Sequence, residues 1–114
     1  MSLIPFTHLH VHSQYSILDG QASIKALVEK AVSDGMKAIA LTDHGNMLGV
    51  KDFYDTCKKN GIKPIIGVEA YVAERTIYDK SDRVLDRSGR HLILLAKNMK
   101  GYRNLLKLTS IANV

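Results

Sequence analysis

The sequence predicts an α/β protein built from parallel βα units. Short apolar segments typical of strands alternate four times with segments whose apolar residues recur at helical spacing. The strand segments are almost continuously apolar, as expected where helices cover both faces of a parallel sheet. We therefore expect a single domain over residues 1–114, with functional groups at the carboxyl ends of its strands.

The first unit begins with a predicted strand over Phe6–Val11. Asp19 and Gly20 mark a turn after it. A helix follows, with Ser23 as its expected N-cap and Gly35 placed to end it in the left-handed conformation. The apolar stripe of this helix comprises Ile24, Leu27, Val28, Ala31 and Val32.

Two further units follow the same pattern. The strand Ala38–Leu41 leads to a helix over roughly Leu48–Lys59, which Gly61 closes. A third strand covers Pro64–Val68, and Ala70–Val72 can continue its extended run.

The fourth unit comes after a polar interruption. The charged composition from Glu74 to Arg90 predicts a loop or an irregular hairpin. Leu92–Ala96 then predicts a fourth buried strand, and Asn98 is the expected cap of the last helix. The apolar residues of that helix are Tyr102, Leu105, Leu106, Leu108 and Ile111.

Composition limits the possible environment and partners. No apolar run is long enough to span a bilayer, so we expect no membrane partner. The single cysteine, Cys57, excludes an internal disulfide, and we expect a buried structural thiol in a cytoplasmic protein. The net charge of +5 is compatible with a phosphate-bearing partner.

Histidines at alternate positions are the clearest chemical signal in the chain. His8, His10 and His12 would project from one face of an extended strand. Imidazole nitrogens side by side suit a transition metal. The alternative is a half-buried strand whose polar face happens to be histidine.

Metal-capable side chains recur at the ends of three successive predicted strands. In chain order they are His10 and His12, then Asp43 and His44, then Glu69. Asp19 lies on the loop after the first strand and can fold back over the same edge. Because no Ser–His or Cys–His pair is a candidate nucleophile here, we expect hydrolysis by a metal-bound hydroxide.

Several of these residues have a second interpretation. Asp43 can cap the following turn, and we expect it to support the ligands rather than bind metal. His8 can orient its neighbours by hydrogen bonds. Glu69 can be a solvated carboxylate at a strand end. His91 stands at the start of its strand, so it either reaches back to the site or is an ordinary histidine.

Four segments together resemble the PHP (polymerase and histidinol phosphatase) domain. They are His8–Gly20, Thr42–Gly49, Gly61–Glu69 and His91–Asn98. The Leu18–Gly20 and Asp43–Asn46 contexts resemble more narrowly the N-terminal PHP domain of bacterial DNA polymerase III alpha subunits. The resemblance runs from about Phe6 to the last residue.

The resemblance implies a ligand set and a fold. The family's metal-ligand positions fall on His10, His12, Asp19, His44, Glu69 and His91. They imply up to three divalent ions, and imidazole-rich sites favour zinc, manganese or iron over magnesium. The family fold is a distorted (β/α)₇ barrel, of which this chain would be an incomplete N-terminal part because further family ligands lie beyond Val114.

The resemblance also implies a function for a longer parent protein. That protein would be a replicative DNA polymerase whose PHP part is a multi-metal phosphoesterase, acting in some polymerases as a 3′-to-5′ proofreading exonuclease. Its partners would be DNA and other replisome subunits.

Two alternatives remain open for the function. The domain can be a non-catalytic structural module that docks a separate proofreading exonuclease, or a free-standing phosphatase of the histidinol phosphatase type. The 114-residue chain alone is expected to be inactive. It is also expected to self-associate through an unpaired sheet edge.

Overall fold

Three helices and a three-stranded sheet make up the part of the chain that the computed structural model describes, residues 5–86 and 89–113. The elements are α1 (Ile24–Ser33), β1 (Ala38–Leu41), α2 (Val50–Lys59), β2 (Lys63–Val72), β3 (Arg90–Leu95) and α3 (Met99–Ala112). The predicted α/β class is confirmed. The extended run of β2 continues past Glu69 to Val72, as the sequence allowed.

The sheet has the order β1-β2-β3 and mixes two strand directions. β1 and β2 are parallel, with Ala38 opposite Lys63. β2 and β3 are antiparallel, with Val72 opposite Arg90, so the prediction of a parallel fourth strand is wrong. A parallel pair needs a crossover, usually a helix. The described part of the connection between β2 and β3 contains turns and no helix, so the chain returns to the sheet from the same end.

The predicted first strand, Phe6–Val11, is not a regular strand. The segment does run parallel beside β1, where Ala40 donates its N–H to the His8 carbonyl at 3.0 Å and Thr42 donates to Val11 at 2.8 Å. The acceptors are three residues apart while the donors are two apart. This extra residue interrupts the ladder as a β-bulge does.

α1 begins and ends as its sequence predicts. The Ser23 side chain accepts a hydrogen bond from the Ala26 N–H at 3.1 Å, and Gly35 has a φ of 77°. At the last helix, Asn98 caps α3 by accepting from the Gly101 N–H at 3.0 Å. Both predicted N-caps are therefore confirmed.

The hydrophobic core lies between α1, α2 and the face of the sheet that they cover. Its buried residues are Ile24, Val28, Ala31, Ile39, Leu41, Phe53, Cys57 and Ile62. Cys57 is fully buried, as predicted, and burial raises the pKa of its thiol to about 11. The sulfur is therefore an apolar core atom at neutral pH.

The last strand and helix are less well covered than the sequence predicts. Leu105 is the buried residue of α3, and the apolar residues Leu106, Leu108 and Ile111 of the same helix are exposed. β3 is half-buried or exposed along its length, so the prediction of a buried fourth strand is wrong for the described chain. Among the residues that the structure describes, no helix combines the length and apolar character needed to cross a membrane.

Candidate metal centre

The predicted site residues meet at one edge of the sheet. His44, just after β1, forms an isolated parallel bridge with Glu69, and the Glu69 N–H donates to the Asp43 carbonyl at 3.0 Å. Because β3 is antiparallel, its amino end lies at the same edge, where His91 is opposite Tyr71. Strand direction therefore explains how His91 reaches the site from the start of its strand.

Glu69 is the centre of the cluster. It is only 2% exposed, so it is not the solvated carboxylate that one interpretation of the sequence allowed. Its Oε2 lies 2.9 Å from His10 Nε2 and 2.5 Å from His12 Nε2. Its Oε1 lies 2.6 Å from His91 Nδ1, and His44 Nδ1 is 3.4 Å from Oε2. One buried carboxylate thus contacts four imidazoles.

The surroundings of Glu69 keep its carboxylate ionised. Burial on its own raises the pKa of a carboxyl group, since it disfavours the charged form. Hydrogen bonds from His10, His91 and His12, with the charge interaction of His44, outweigh burial and hold the pKa of Glu69 at about 2. The carboxylate is therefore available as an anionic ligand at neutral pH.

Asp19 contacts the cluster from the loop that follows the first segment. Its Oδ2 lies 2.6 Å from His44 Nε2 and 3.5 Å from His12 Nδ1, so the loop folds back over the sheet edge as predicted. The donor atoms fall into three groups, each with its atoms within 4.8 Å of one another: His10, His12 and Glu69; His12, Asp19 and His44; and His44, Glu69 and His91. The groups overlap, because each shares one residue with each of the others.

Asp43 holds the loop that carries these ligand candidates. It is 1% exposed and accepts hydrogen bonds from the Ser13 N–H at 2.6 Å, the Ser13 hydroxyl at 2.7 Å and the Ser16 hydroxyl at 2.9 Å. The Ser16 oxygen also accepts from the His44 N–H at 3.0 Å. These contacts support a structural role for Asp43, a role for which neither serine carries a specific signal in the sequence.

The loop after the histidines is also very tight. The Gly20 N–H donates to the Ser16 carbonyl at 2.7 Å. A Cβ atom at Gly20 would lie 1.8 Å from the Ser13 carbonyl oxygen. Only glycine fits there, and the turn predicted at Asp19 and Gly20 is the feature that returns Asp19 to the site.

His8 lies outside the cluster. Its ring packs edge-on against Phe6 with centroids 4.8 Å apart, and the side chain is exposed. His10 and His12 do converge, with their Nε2 atoms 3.2 Å apart. The extra residue between His8 and Val11 in the pairing with β1 breaks the alternation that would have aligned all three histidines. Within the described residues the His8 side chain makes no hydrogen bond to a ligand candidate, so its contacts do not support the orienting role that the sequence allowed.

Tyr71 belongs to the site and was not identified from the sequence. Its Oη lies 3.0 Å from His44 Nδ1, and its ring packs edge-on against His91 with centroids 4.8 Å apart. Tyr71 is two residues beyond Glu69 on β2, so both side chains project from the same face of the sheet. That spacing is the signal that could have found it.

The donor set fits divalent transition metals. Four imidazoles and two carboxylates converge from separate segments of the chain. Nitrogen and oxygen ligands of this kind suit zinc and similar ions. Two of the imidazoles face the same carboxylate oxygen, so the donors gather around shared positions rather than forming separate pairs.

Known proteins share this sequence pattern. The family model described as "PHP domain" matches residues 8–114. The chain is similar to DNA polymerase III subunit alpha from Borreliella burgdorferi, with 57% identity over 107 residues, covering 94% of the chain and 9% of the relative. It is also similar to the Treponema pallidum subunit, with 52% identity over 114 residues, covering all of the chain and 10% of the relative. The chain thus spans about a tenth of the length of these relatives.

Solved structures share the fold. An amidohydrolase from Chromobacterium violaceum superposes with a TM-score of 0.61 at 23% identity. A protein from Bifidobacterium adolescentis, described as a metal-dependent phosphoesterase, superposes with a TM-score of 0.59 at 18% identity. In both cases the match covers 89% of this chain and 32% of the solved chain.

We predict that Asp43→Ala lowers the free energy of unfolding by about 3 kcal/mol, because three donors lose their buried acceptor at roughly 1 kcal/mol or more each. Urea unfolding of the metal-free protein measures the change. Asp55→Ala is the matched control, since Asp55 is exposed and pairs with Lys51 at the surface, which limits its effect to below about 1 kcal/mol. Equal effects of the two substitutions would contradict the structural role of Asp43.

Proposed function

The chain belongs to the PHP domain family, and on this premise we propose that its clustered histidines and carboxylates bind divalent metal ions for phosphoester hydrolysis. The proposed ligands are His10, His12, Asp19, His44, Glu69 and His91. The single observation that carries the proposal is the overlap of three ligand groups at one sheet edge.

The overlap favours more than one ion. If one group of three donors bound a single ion, the remaining imidazoles would have no ion to bind. Here His12, His44 and Glu69 each belong to two groups. We assign His10, His12 and Glu69 to one part of the centre. The remaining ligands of the cluster would be Asp19, His44 and His91.

The protein's own residues prepare this centre. Divalent ions, when bound, lower the pKa of water and clamp phosphoryl oxygens. Glu69 holds three imidazoles in place and keeps its negative charge, while Asp43 fixes the loop between His12 and Asp19. Asp19 is half exposed and lies at the open side, where a phosphate group can approach.

The balance of nitrogen over oxygen donors points to zinc, manganese or iron rather than magnesium. The family resemblance supports up to three ions in a complete domain. We propose that the 114 residues are the N-terminal portion of such a domain, which would be completed as a distorted (β/α)₇ barrel. The match covers 32% of each of the two solved chains, which supports a larger complete fold.

For the whole protein, we propose a DNA polymerase III alpha subunit in the cytoplasm. The similarity to alpha subunits across the full chain supports this. Its substrates would be primed DNA and nucleotides, and its partners other replisome subunits. The PHP site would remove misincorporated 3′ nucleotides. The 114-residue chain alone would bind metal weakly and show little or no hydrolysis.

A second function has support in the same geometry. Glu69 ties together imidazoles from the first segment, from the end of β1 and from β3. Metal at this position would stabilise the fold even without turnover. The domain would then be a non-catalytic module that docks a separate proofreading exonuclease.

We predict that His12→Ala weakens Zn²⁺ or Mn²⁺ binding by at least about tenfold, because His12 belongs to two of the three ligand groups. Isothermal titration of the metal-free protein measures the affinity. His8→Ala is the matched control: it removes the same side chain from the same segment, but outside the cluster, and should leave affinity within about twofold. Equal losses in both variants would contradict the proposed centre.

The same pair of substitutions in the full-length protein separates the two functions. Excision of a mismatched 3′ nucleotide that His12→Ala abolishes and His8→Ala retains supports catalysis. Metal binding without excision in the unmodified protein supports the structural module.

We also predict that the 114-residue chain self-associates through β3. This strand lies at the edge of the described sheet, and Leu92 on it is 47% exposed. Sedimentation equilibrium at about 50 μM, a concentration suited to weak contacts, should show a dimer or larger species. Leu92→Lys should shift it toward monomer, because an edge lysine opposes strand pairing.

Leu18→Lys is the control for charge alone, since Leu18 is fully exposed in a loop. It should leave the distribution unchanged. A monodisperse monomer for the unmodified chain would contradict the prediction.

A further inference from the structure

Tyr71 occupies a position between two ligand candidates. Its ring is stacked near His44, with centroids 5.9 Å apart and an interplanar angle of 17°, and it meets His91 edge-on. Gly45 lies beside the ring, at a distance where a Cβ would make an ordinary van der Waals contact of 3.7 Å with Tyr71 Cε2. The ring is thus held by its neighbours, and its hydroxyl lies 3.0 Å from Nδ1 of His44.

When its ring is neutral and no metal is bound, the hydrogen bonds of His44 define its tautomer. Nε2 lies 2.6 Å from Oδ2 of Asp19, and a carboxylate can only accept, so Nε2 carries the proton. Nδ1 of the neutral imidazole then has a lone pair and needs a donor. The Tyr71 hydroxyl supplies that donor.

Metal binding reverses this requirement. To act as a ligand, Nε2 must present its lone pair, so the neutral ring carries its proton on Nδ1 instead. Nδ1–H then needs an acceptor. A hydroxyl oxygen can accept as well as donate, so Tyr71 can remain hydrogen-bonded to Nδ1 in both tautomers without a change of charge. The proton lost from Nε2 is balanced by the one gained at Nδ1 through solvent exchange.

The other neighbour of Nδ1 cannot serve both tautomers. Oε2 of Glu69 lies 3.4 Å away, and the same oxygen already faces His10 and His12. As a carboxylate it only accepts, so it cannot satisfy the Nδ1 lone pair of the metal-free form. The hydroxyl of Tyr71 is closer to Nδ1 than the Glu69 carboxylate is. It can also donate to one tautomer and accept from the other.

We propose that Tyr71 is a positioning residue: its hydrogen bond occupies Nδ1 of His44. The Nε2 atom of His44 is thereby directed to the ion held with His12 and Asp19. This inference rests on the proposed metal-dependent function. It resolves an ambiguity in the cluster, because His44 belongs both to the group with His12 and Asp19 and to the group with Glu69 and His91. Occupation of Nδ1 by Tyr71 assigns His44 to the first group.

The test uses Tyr71→Phe, which removes the hydroxyl and retains the ring that packs on His91. Long-range ¹H–¹⁵N spectra of histidine-labelled protein report the tautomer of each ring, and His44→Gln assigns the signal of His44. In the unmodified protein we expect His44 to be protonated on Nε2 without metal and on Nδ1 with Zn²⁺.

Tyr71→Phe should bind Zn²⁺ about tenfold more weakly, the loss typical of a missing partner behind a metal-ligating histidine. Tyr54→Phe is the matched control, since Tyr54 lies on α2 and is 45% exposed, and it should keep the unmodified affinity. Circular dichroism and thermal unfolding should be alike in both variants.

Two results overturn the proposal while leaving the metal centre intact. In the first, His44 keeps its proton on Nε2 with Zn²⁺ although the signals of His10 and His12 shift. In the second, Tyr71→Phe binds Zn²⁺ as tightly as the unmodified protein. If Zn²⁺ changes no histidine signal, the proposed metal-dependent function fails together with the inference.

Discussion

The buried carboxylate of Glu69 is the interaction on which the rest of the site depends. A charge at this depth is unfavourable unless it is paired, and it is paired with imidazoles from three separate parts of the chain. Its backbone also joins β2 to the segment just after β1 through the bridge to His44. One residue therefore links the geometry of the sheet edge to the charge of the proposed metal centre.

Much of this arrangement could be predicted from the sequence, because its signals are local. Helical apolar spacing, the Ser23 cap and Gly35 located α1, and the rule that functional groups gather at strand ends placed His44 beside Glu69. The direction of β3 could not be predicted in this way. It depends on whether the connecting segment crosses the sheet, and a polar segment without helical periodicity gives no direct signal of that.

Other features depend on contacts between distant residues. The bulge that separates His8 from His10 and His12 appears only when the first segment pairs with β1. Asp43 shows its role only when Ser13 and Ser16 fold over it. In the sequence Tyr71 is an ordinary strand residue, and its contact with His44 forms only when β1 and β2 pair. In each case the residue type was visible in the sequence, but its partner was not.

The most direct test of the account is anomalous diffraction from crystals of the protein loaded with Zn²⁺ or Mn²⁺. We expect at least two ion peaks within the cluster bounded by His12, His44 and Glu69, since their ligand groups overlap. Absence of any peak there, with ions only at exposed surface carboxylates, would contradict the proposal that this sheet edge is a metal centre.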